Sequence, residues 1–199
     1  MNDRLERQLD FIRELDRLKN VRRQTWLIDA SRQENSAEHS WHIALMAMVL
    51  GEYATGDGVD LGRVLQMLLV HDIVEIDAGD TFCYDEAAVS GQHAREQAAA
   101  RRLFGLLPAD IGKRFSALWE EFEARQTPEA RLANALDRLQ PVLNNYHSGG
   151  KSWQENGITH DKVVARNRVM AEGAPTLWGY VQKLLERAVA KGILPPSAS

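Results

Sequence analysis

The sequence predicts an all-α fold, and three observations lead to that prediction. Apolar residues recur at spacings of three and four between short polar clusters, which is the period of an amphipathic helix. Residues suited to cap helices precede several of these runs. Sustained alternation of β-branched residues is nearly absent, and no repeat of about 20–50 residues is found. We therefore expect a compact helical bundle that forms one domain over residues 1–199.

An N-terminal helix is predicted within residues 1–20. Its apolar face consists of residues three or four positions apart, namely Leu5, Leu9, Ile12, Leu15 and Leu18. This face could pack within the chain or against another chain. A capped helix is expected within residues 35–50, and Asp60 can cap a third helix.

Proline and glycine mark the helices of the second half. Thr127 followed by Pro128 predicts a helix start, because proline is favoured at the first helical position. Pro175 can start a last helix that Gly192 ends. A flexible tail is expected over residues 194–199.

Two segments are not expected to form regular helix. Pro141 lies four residues after Asp137 and cannot donate to its carbonyl, which predicts a kink or a helix end. Residues 148–157 are rich in glycine and predict a loop. Loops of this length are often functional, although a plain surface connection fits the pattern equally well.

Composition and charge favour an ordinary globular protein. The 199 residues are 44% hydrophobic and 26% charged. The net charge of −4 gives no global electrostatic reason to expect binding to nucleic-acid polymers or membranes. No run approaches the roughly 18 apolar residues of a transmembrane helix, and the N-terminus lacks an export pattern. The single cysteine, Cys83, excludes an internal disulfide and fits a reducing compartment, so we expect a cytoplasmic protein.

Charged residues interrupt an apolar helical pattern at His71-Asp72-x-x-Glu75. Burying such side chains is costly unless each is paired or binds a metal. Helical spacing allows all three to face one region, and Asp80 follows where Gly79 should end the helix. The pattern predicts either part of an active site or a buried His-Asp pair with satisfied hydrogen bonds.

A second pair, His160-Asp161, has the same letters in a different setting. It follows Thr159 at an expected helix start, where an acid in the first turn favours the helix dipole. We interpret this pair as structural. Assignment of His71-Asp72 to a metal site therefore depends on its apolar surroundings and on ligands elsewhere.

Such ligands are available. His39 and His42 lie one turn apart near the start of a predicted helix, and either could bind a metal. Asp137 lies among leucines of another helix and is a candidate inward-facing acid. Two histidines and two aspartates suit one borderline divalent metal, such as manganese, iron, cobalt, nickel or zinc, better than calcium.

The order of His39, His71-Asp72 and Asp137 matches the motif for which the HD-domain metallohydrolases are named, and the chain resembles that superfamily over nearly its whole length. Three local motifs resemble the 5′-deoxynucleotidase-like branch: Ala37-Glu38-His39-Ser40, His71-Asp72-x-x-Glu75 and Gly79-Asp80. The resemblance implies His39, rather than His42, as the ligand and Glu75 and Asp80 as the acids that handle protons. It also implies a metal site between the central helices and a homodimer.

One motif departs from this branch. Its characterised deoxynucleotidases use an arginine followed directly by tryptophan to hold the phosphate and select the 2′-deoxy sugar. Here Gln24 and Thr25 separate Arg23 from Trp26. The resemblance implies substrate-binding roles for Arg23 and Trp26, while the spacing leaves selectivity for deoxyribose open.

The function that these features favour is a metal-dependent phosphatase acting on nucleoside 5′-monophosphates through a metal-activated water. Three alternatives stay open at this point: a phosphodiesterase or nucleoside di- or triphosphate hydrolase with the same site, a silent nucleotide-binding module, and a helical interaction protein without metal. The acids at Glu75 and Asp80 argue against the silent module, because a purely structural metal site does not need them.

Overall fold

The computed structural model describes residues 3–197, with the side chains of Glu86 and Ala88 left aside. Within these residues the fold is helical, apart from one small antiparallel sheet. The α-helices are α1 Asp3–Leu15, α2 Ser36–Leu50, α3 Leu61–Val70, α4 Glu75–Ala78, α5 Glu86–Val89, α6 Gln92–Gly105, α7 Ala109–Ala124, α8 Pro128–His147, α9 Lys151–Glu155, α10 His160–Asn167, α11 Met170–Gly173 and α12 Pro175–Ala190. Short 3₁₀ helices cover Asp16–Asn20, Gly51–Tyr53 and His71–Val74, and the strands are β1 Arg22–Trp26 and β2 Gln33–Asn35. The all-α prediction is confirmed.

Local capping explains where the helices that carry the site begin. The Asn35 side chain accepts from the Glu38 backbone N–H at 3.0 Å, and Glu38 accepts from the Asn35 N–H at 3.1 Å, which forms a capping box before α2. Asp60 caps α3 and Thr127 caps α8 in the predicted manner, with Pro128 in the first turn of α8. These caps satisfy backbone N–H groups that would otherwise lack acceptors.

Helix α8 runs through the centre of the bundle. It packs against α2, α3, α7, α11 and α12, and its buried leucines form a continuous core with those of α3 and α12. The helix continues through Pro141 to His147, so the predicted helix end at this proline does not occur. Side chains on both sides of Pro141 can therefore line one wall of a site.

The hairpin of β1 and β2 was not predicted. Its strands pair in antiparallel register, with Arg22 opposite Asn35 and Trp26 opposite Gln33. The strands are short and mostly polar, so they show no sustained alternation of apolar and polar residues. The hairpin contacts α8 and α9, which places β1 beside the centre of the bundle.

Residues 148–157 contain a short helix, and the start of the C-terminal segment contacts the bundle. The glycine-rich segment contains the one-turn helix α9, and its Trp153 is buried. Leu194 is 1% exposed, and the Pro195 carbonyl accepts from the His160 N–H at 2.9 Å. The start of the expected flexible tail is therefore held against the bundle, while Ala198 and Ser199 lie outside the described residues.

Candidate active site

Four side chains predicted as metal ligands converge from three elements of the bundle. His39 lies on α2, His71 and Asp72 lie in the 3₁₀ turn after α3, and Asp137 lies on α8. Ligand atoms of His39, His71 and Asp72 all lie within 4.8 Å of one another. Asp137 Oδ1 lies 2.9 Å from His39 Nε2 and 3.6 Å from His71 Nε2. Three of the four side chains thus form one compact group, and Asp137 approaches both of its histidines.

Hydrogen bonding fixes which nitrogen of His71 faces the rest of this group. Its Nδ1 lies 2.9 Å from the Leu68 carbonyl, which can only accept, so Nδ1 carries the hydrogen. Nε2 lies 3.0 Å from Asp72 Oδ1, yet it is buried and has no hydrogen-bond partner among residues 3–197. A buried nitrogen in this state matches a metal ligand, because metal-bound histidines commonly donate their other N–H to a carbonyl.

His39 is oriented by a chain of buried side chains. Gln140 Nε2 donates to Glu34 Oε2 at 2.7 Å, so the Gln140 oxygen is turned towards His39 Nδ1 at 3.1 Å. Nδ1 must then be the donor. In the neutral ring, Nε2 of His39 then has a lone pair directed at Asp137 Oδ1. Because Nε2 and Oδ1 are both acceptors, their contact requires a cation or a proton between them.

The donor set therefore fits a divalent cation. It offers imidazole nitrogens and carboxylate oxygens in a buried place, which suits borderline metals. Burial alone would lower the pKa of His71, but the carboxylates of Asp72 and Asp137 raise it well above its ordinary value. The local field thus favours positive charge. His42, the other histidine considered on α2, lies outside the cluster and is 3.4 Å from Gln140 Nε2.

Glu75 and Asp80 lie beside the cluster and line the same cavity. Glu75 is buried, and Oε2 accepts from the Ser36 hydroxyl at 2.5 Å. Burial, together with the nearby Asp72 carboxylate, raises the pKa of Glu75 to about 8. Burial also raises the pKa of Asp80. A carboxyl group with a raised pKa beside a metal site is suited to proton transfer, and Glu75 and Asp80 both meet this condition.

Arg23 lies among carboxylates. Its Nη1 donates to Asp72 Oδ2 at 2.7 Å and lies 3.6 Å from Glu75 and 3.8 Å from Asp80, while Nε lies 3.6 Å from Glu34. The structure brings Arg23 to the predicted site. Four carboxylates therefore surround the positive charge of Arg23. The shortest of these contacts is the hydrogen bond to Asp72, which orients that carboxylate.

Trp26 is placed differently. It is not among the residues that line the cavity. Its Nε1 donates to Glu155 at 2.9 Å, and Lys151 Nζ lies 3.4 Å from the ring centroid. Both partners belong to α9, so Trp26 holds α9 against the hairpin. The structure does not show the direct position in the site that the sequence predicted for Trp26.

A cavity of about 380 Å³ opens from the cluster. Besides the predicted residues, its walls include Tyr84, Arg138, Trp153 and Arg166. Sequence reasoning missed these four. Arg138 directly follows Asp137, but a basic residue in an amphipathic helix ordinarily marks the solvent face. Trp153 lies in the segment 148–157, for which a functional loop was considered without naming a residue, and no local sequence signal singled out Tyr84 or Arg166.

A family model of the HD domain matches residues 15–178, and the chain therefore belongs to the HD-domain family. Human 5′-deoxynucleotidase HDDC2 is 33% identical over 136 residues, which are 68% of this chain and 65% of that protein. The Danio rerio protein of the same name is 30% identical over 140 residues, covering 70% of this chain and 68% of that protein. The match thus spans slightly less than two thirds of the human relative.

Solved structures agree with this assignment. A protein from Magnetospirillum magnetotacticum MS-1, described as a predicted metal-dependent phosphohydrolase, is 51% identical with a TM-score of 0.92, covering 98% of this chain and 100% of that chain. A conserved hypothetical protein from Pyrococcus furiosus is 22% identical with a TM-score of 0.61, covering 89% and 99%, and shares the fold. The resemblance drawn from the sequence is confirmed.

None of the helices within residues 3–197 has the length and apolar composition that a membrane span requires.

Proposed function

We propose that this protein is a metal-dependent phosphohydrolase that releases phosphate from nucleoside 5′-monophosphates. One observation carries the proposal: the buried, unpartnered Nε2 of His71 faces three other ligand side chains at a cavity that also contains two spare acids. Two names support it. The human relative is named a 5′-deoxynucleotidase, and the Magnetospirillum protein is described as a phosphohydrolase.

His39, His71, Asp72 and Asp137 would hold one divalent cation. When bound, such a cation supplies Lewis acidity, which lowers the pKa of water and offsets charge on phosphate oxygens. The protein prepares the site in advance, because Leu68 and the Gln140 side chain fix both imidazole rings with Nε2 directed inward. Preorganised ligands reduce the cost of binding.

Glu75 is the first candidate for the group that accepts the proton of the attacking water. The Ser36 hydroxyl holds its Oε2, so Oε1 is the oxygen in position to take up a proton. Arg23 Nη1 lies 3.6 Å from Oε1 and favours the ionised, basic form of the carboxylate. Asp80 is the second candidate. Arg23 aligns Asp72 and would reach the phosphate only with a charge that four neighbouring carboxylates already offset in large part.

We retain Trp26 in an indirect role. Its contacts with Lys151 and Glu155 seat α9, and Ser152 and Trp153 of that helix line the cavity. Trp26 would therefore influence the substrate through α9. Selectivity for deoxyribose would then depend on the residues of the cavity wall. Rates with matched ribo and deoxy substrates measure this selectivity.

The experiment uses metal-free protein restored separately with manganese, cobalt, iron, nickel or zinc. Phosphate release is measured from ribo and deoxy nucleoside 5′-monophosphates, with diphosphates and phosphodiesters in the same panel. We expect metal-dependent release that is fastest from monophosphates. Metal-loaded protein that cleaves diesters or diphosphates but leaves monophosphates intact would contradict the proposed substrate class.

The Glu75→Gln variant tests the proton acceptor. It should retain the metal and lose turnover by roughly 10²–10⁴-fold, which is the usual contribution of general acid-base catalysis. Glu120→Gln, at an exposed position on α7, is the matched control and should keep full activity. Loss of metal from Glu75→Gln would instead make Glu75 part of the metal-binding set.

We also propose that the protein is a homodimer in the cytoplasm. On α2, four large apolar side chains on successive turns expose between 41% and 71% of their surfaces: Trp41, then Leu45, then the adjacent Met48 and Val49. Apolar stripes of this kind commonly mark an interaction surface. On α1, Phe11 faces the core, while Leu5, Leu9 and Ile12 are exposed and form a second apolar stripe. The unpaired Cys83 is consistent with a reducing compartment.

A further inference from the structure

Arg138 lies in the wall of the cavity, and no carboxylate of the described side chains is bound to it. It is half-buried on α8, and its Nη1 donates to the Arg166 carbonyl at 2.9 Å, which holds the guanidinium in place. Its Nε is buried and has no hydrogen-bond partner among residues 3–197. Leaving a buried donor unsatisfied destabilises the folded protein. An acceptor supplied by a ligand would remove that destabilisation.

A second guanidinium lies beside the first. Arg166 is exposed on α10 and also lines the cavity. Within the described part of the chain, no ion pair joins either arginine to an acid, although other arginines of this protein form several. The two side chains therefore form a positive region whose charge is not offset by a bound carboxylate.

Arg23 provides the contrast within the same cavity. Its guanidinium contacts or closely approaches four carboxylates, so a phosphate dianion near it would also meet those acids. Arg138 directly follows Asp137 on α8, with Cα atoms about 3.8 Å apart. Both residues line the same cavity, so an anion beside Asp137 is close to an arginine to which none of the described carboxylates is bound.

We propose that Arg138 and Arg166 form an anion-binding subsite that holds the phosphate group of the substrate. This deepens the proposed function and rests on it for the identity of the substrate. The planar guanidinium suits this task, because it donates two parallel hydrogen bonds to phosphate oxygens. Arg138 supplies the fixed contact, and Arg166 adds charge at the mouth of the cavity.

The first test measures inorganic phosphate binding to metal-free protein by calorimetry, so that no metal-bound phosphate contributes. Wild-type protein should bind phosphate. Arg138→Gln should weaken binding by on the order of tenfold or more, since a hydrogen bond to a charged group contributes roughly this much. Arg166→Gln should weaken it less. The matched control is Arg168→Gln, which removes an exposed arginine just after α10 and should leave binding unchanged.

The second test compares kinetics with nucleoside 5′-monophosphates. Arg166→Gln, at an exposed position where folding is not at risk, should raise KM several-fold and change kcat less. Thermal unfolding and metal content should stay at wild-type values in the variants used. Weaker phosphate binding together with a higher KM supports the subsite.

Several outcomes would overturn the inference. Wild-type protein that does not bind phosphate without metal would do so, as would undiminished binding by the double variant R138Q/R166Q. Weaker phosphate binding with an unchanged KM would show that the two arginines bind phosphate but do not hold the phosphate group of the substrate. If no monophosphate is hydrolysed while the calorimetry follows the prediction, the proposed function fails and the anion subsite stands.

Discussion

Two buried imidazole rings are held in the same way by different partners. His71 Nδ1 is paired with a backbone carbonyl, whereas His39 Nδ1 is paired with Gln140, which Glu34 orients in turn. Both arrangements leave Nε2 directed at the acidic centre. These partners set the tautomer of each ring, and partners of this kind tune metal affinity.

Replacing Gln140 tests this role. Gln140→Met keeps the length of the side chain and removes the acceptor for His39 Nδ1. We expect metal affinity to fall by about 10–100-fold, the usual effect of losing such a partner. Calorimetric titration with manganese or zinc measures the change, and circular dichroism checks the fold. Wild-type affinity in a folded Gln140→Met protein would show that the hydrogen bond does not orient His39.

A metal site at His71, Asp72 and Asp137 could be expected from the sequence because each is an ionisable residue in apolar surroundings, whereas the choice of His39 over His42 came from the family resemblance. Burial of such groups needs an explanation, and a shared cation provides one. Arg138 could not be found this way. Its long side chain can reach either solvent or a cavity from the same helical position, and only the packed structure decides between them.

At the scale of elements, the position of α8 depends on a close approach to α11. Gly173 lies where a Cβ atom would overlap the Arg131 carbonyl of α8. At Gly179 on α12, a Cβ atom would have no described atom of a neighbouring segment within 4 Å. These two glycines occupy helices next to α8 but differ in the space around them.

Gly173→Ala should therefore destabilise the protein by about 1–3 kcal/mol, the usual cost of overpacking. In a chain of this size, thermal unfolding should shift down by roughly 2–4 °C for each kcal/mol. Gly179→Ala is the matched control and should leave the melting temperature unchanged or slightly higher, since alanine favours helix. Equal melting temperatures for the two variants would mean that α8 and α11 can move apart without lowering the free energy of unfolding.

The hairpin and α9 show where prediction of elements failed. The strands of the hairpin contain five and three residues, too few for alternation to be seen in a polar segment. In α9, buried Trp153 and the contact of Lys151 with Trp26 stabilise one helical turn after two glycines with positive φ. Tertiary packing outweighed local propensity in both places. The caps at Asn35, Asp60 and Thr127 act locally and could be predicted.

At the scale of the whole molecule, the bundle followed from helical periodicity, but periodicity did not show which faces stay exposed. The stripe on α2 is apolar and yet open to solvent in the single chain. Continuous exposed apolar surface is uncommon in monomers. A second copy of the chain would cover it.

The double substitution Trp41→Lys and Met48→Lys tests this interface, because two charges would have to be buried on association. We expect wild-type protein to be a dimer by light scattering and the variant to be a monomer at the same concentration. Ile28→Lys, at an exposed apolar position between the strands, is the control and should stay dimeric. A monomeric wild-type protein at all concentrations would contradict the proposal.

If His39, His71, Asp72 and Asp137 hold one divalent cation, each chain must bind one metal ion, and the metal stoichiometry can be measured. Metal-free wild-type protein, His71→Ala and His160→Ala are each titrated with manganese or zinc, and bound metal is counted by elemental analysis. His160 supplies the control because it begins the other His-Asp pair, at the start of α10. The account predicts one bound metal per chain in wild type and His160→Ala, and loss of that metal in His71→Ala. Equal stoichiometry and affinity in His71→Ala, or no metal bound by the wild-type protein, would contradict it.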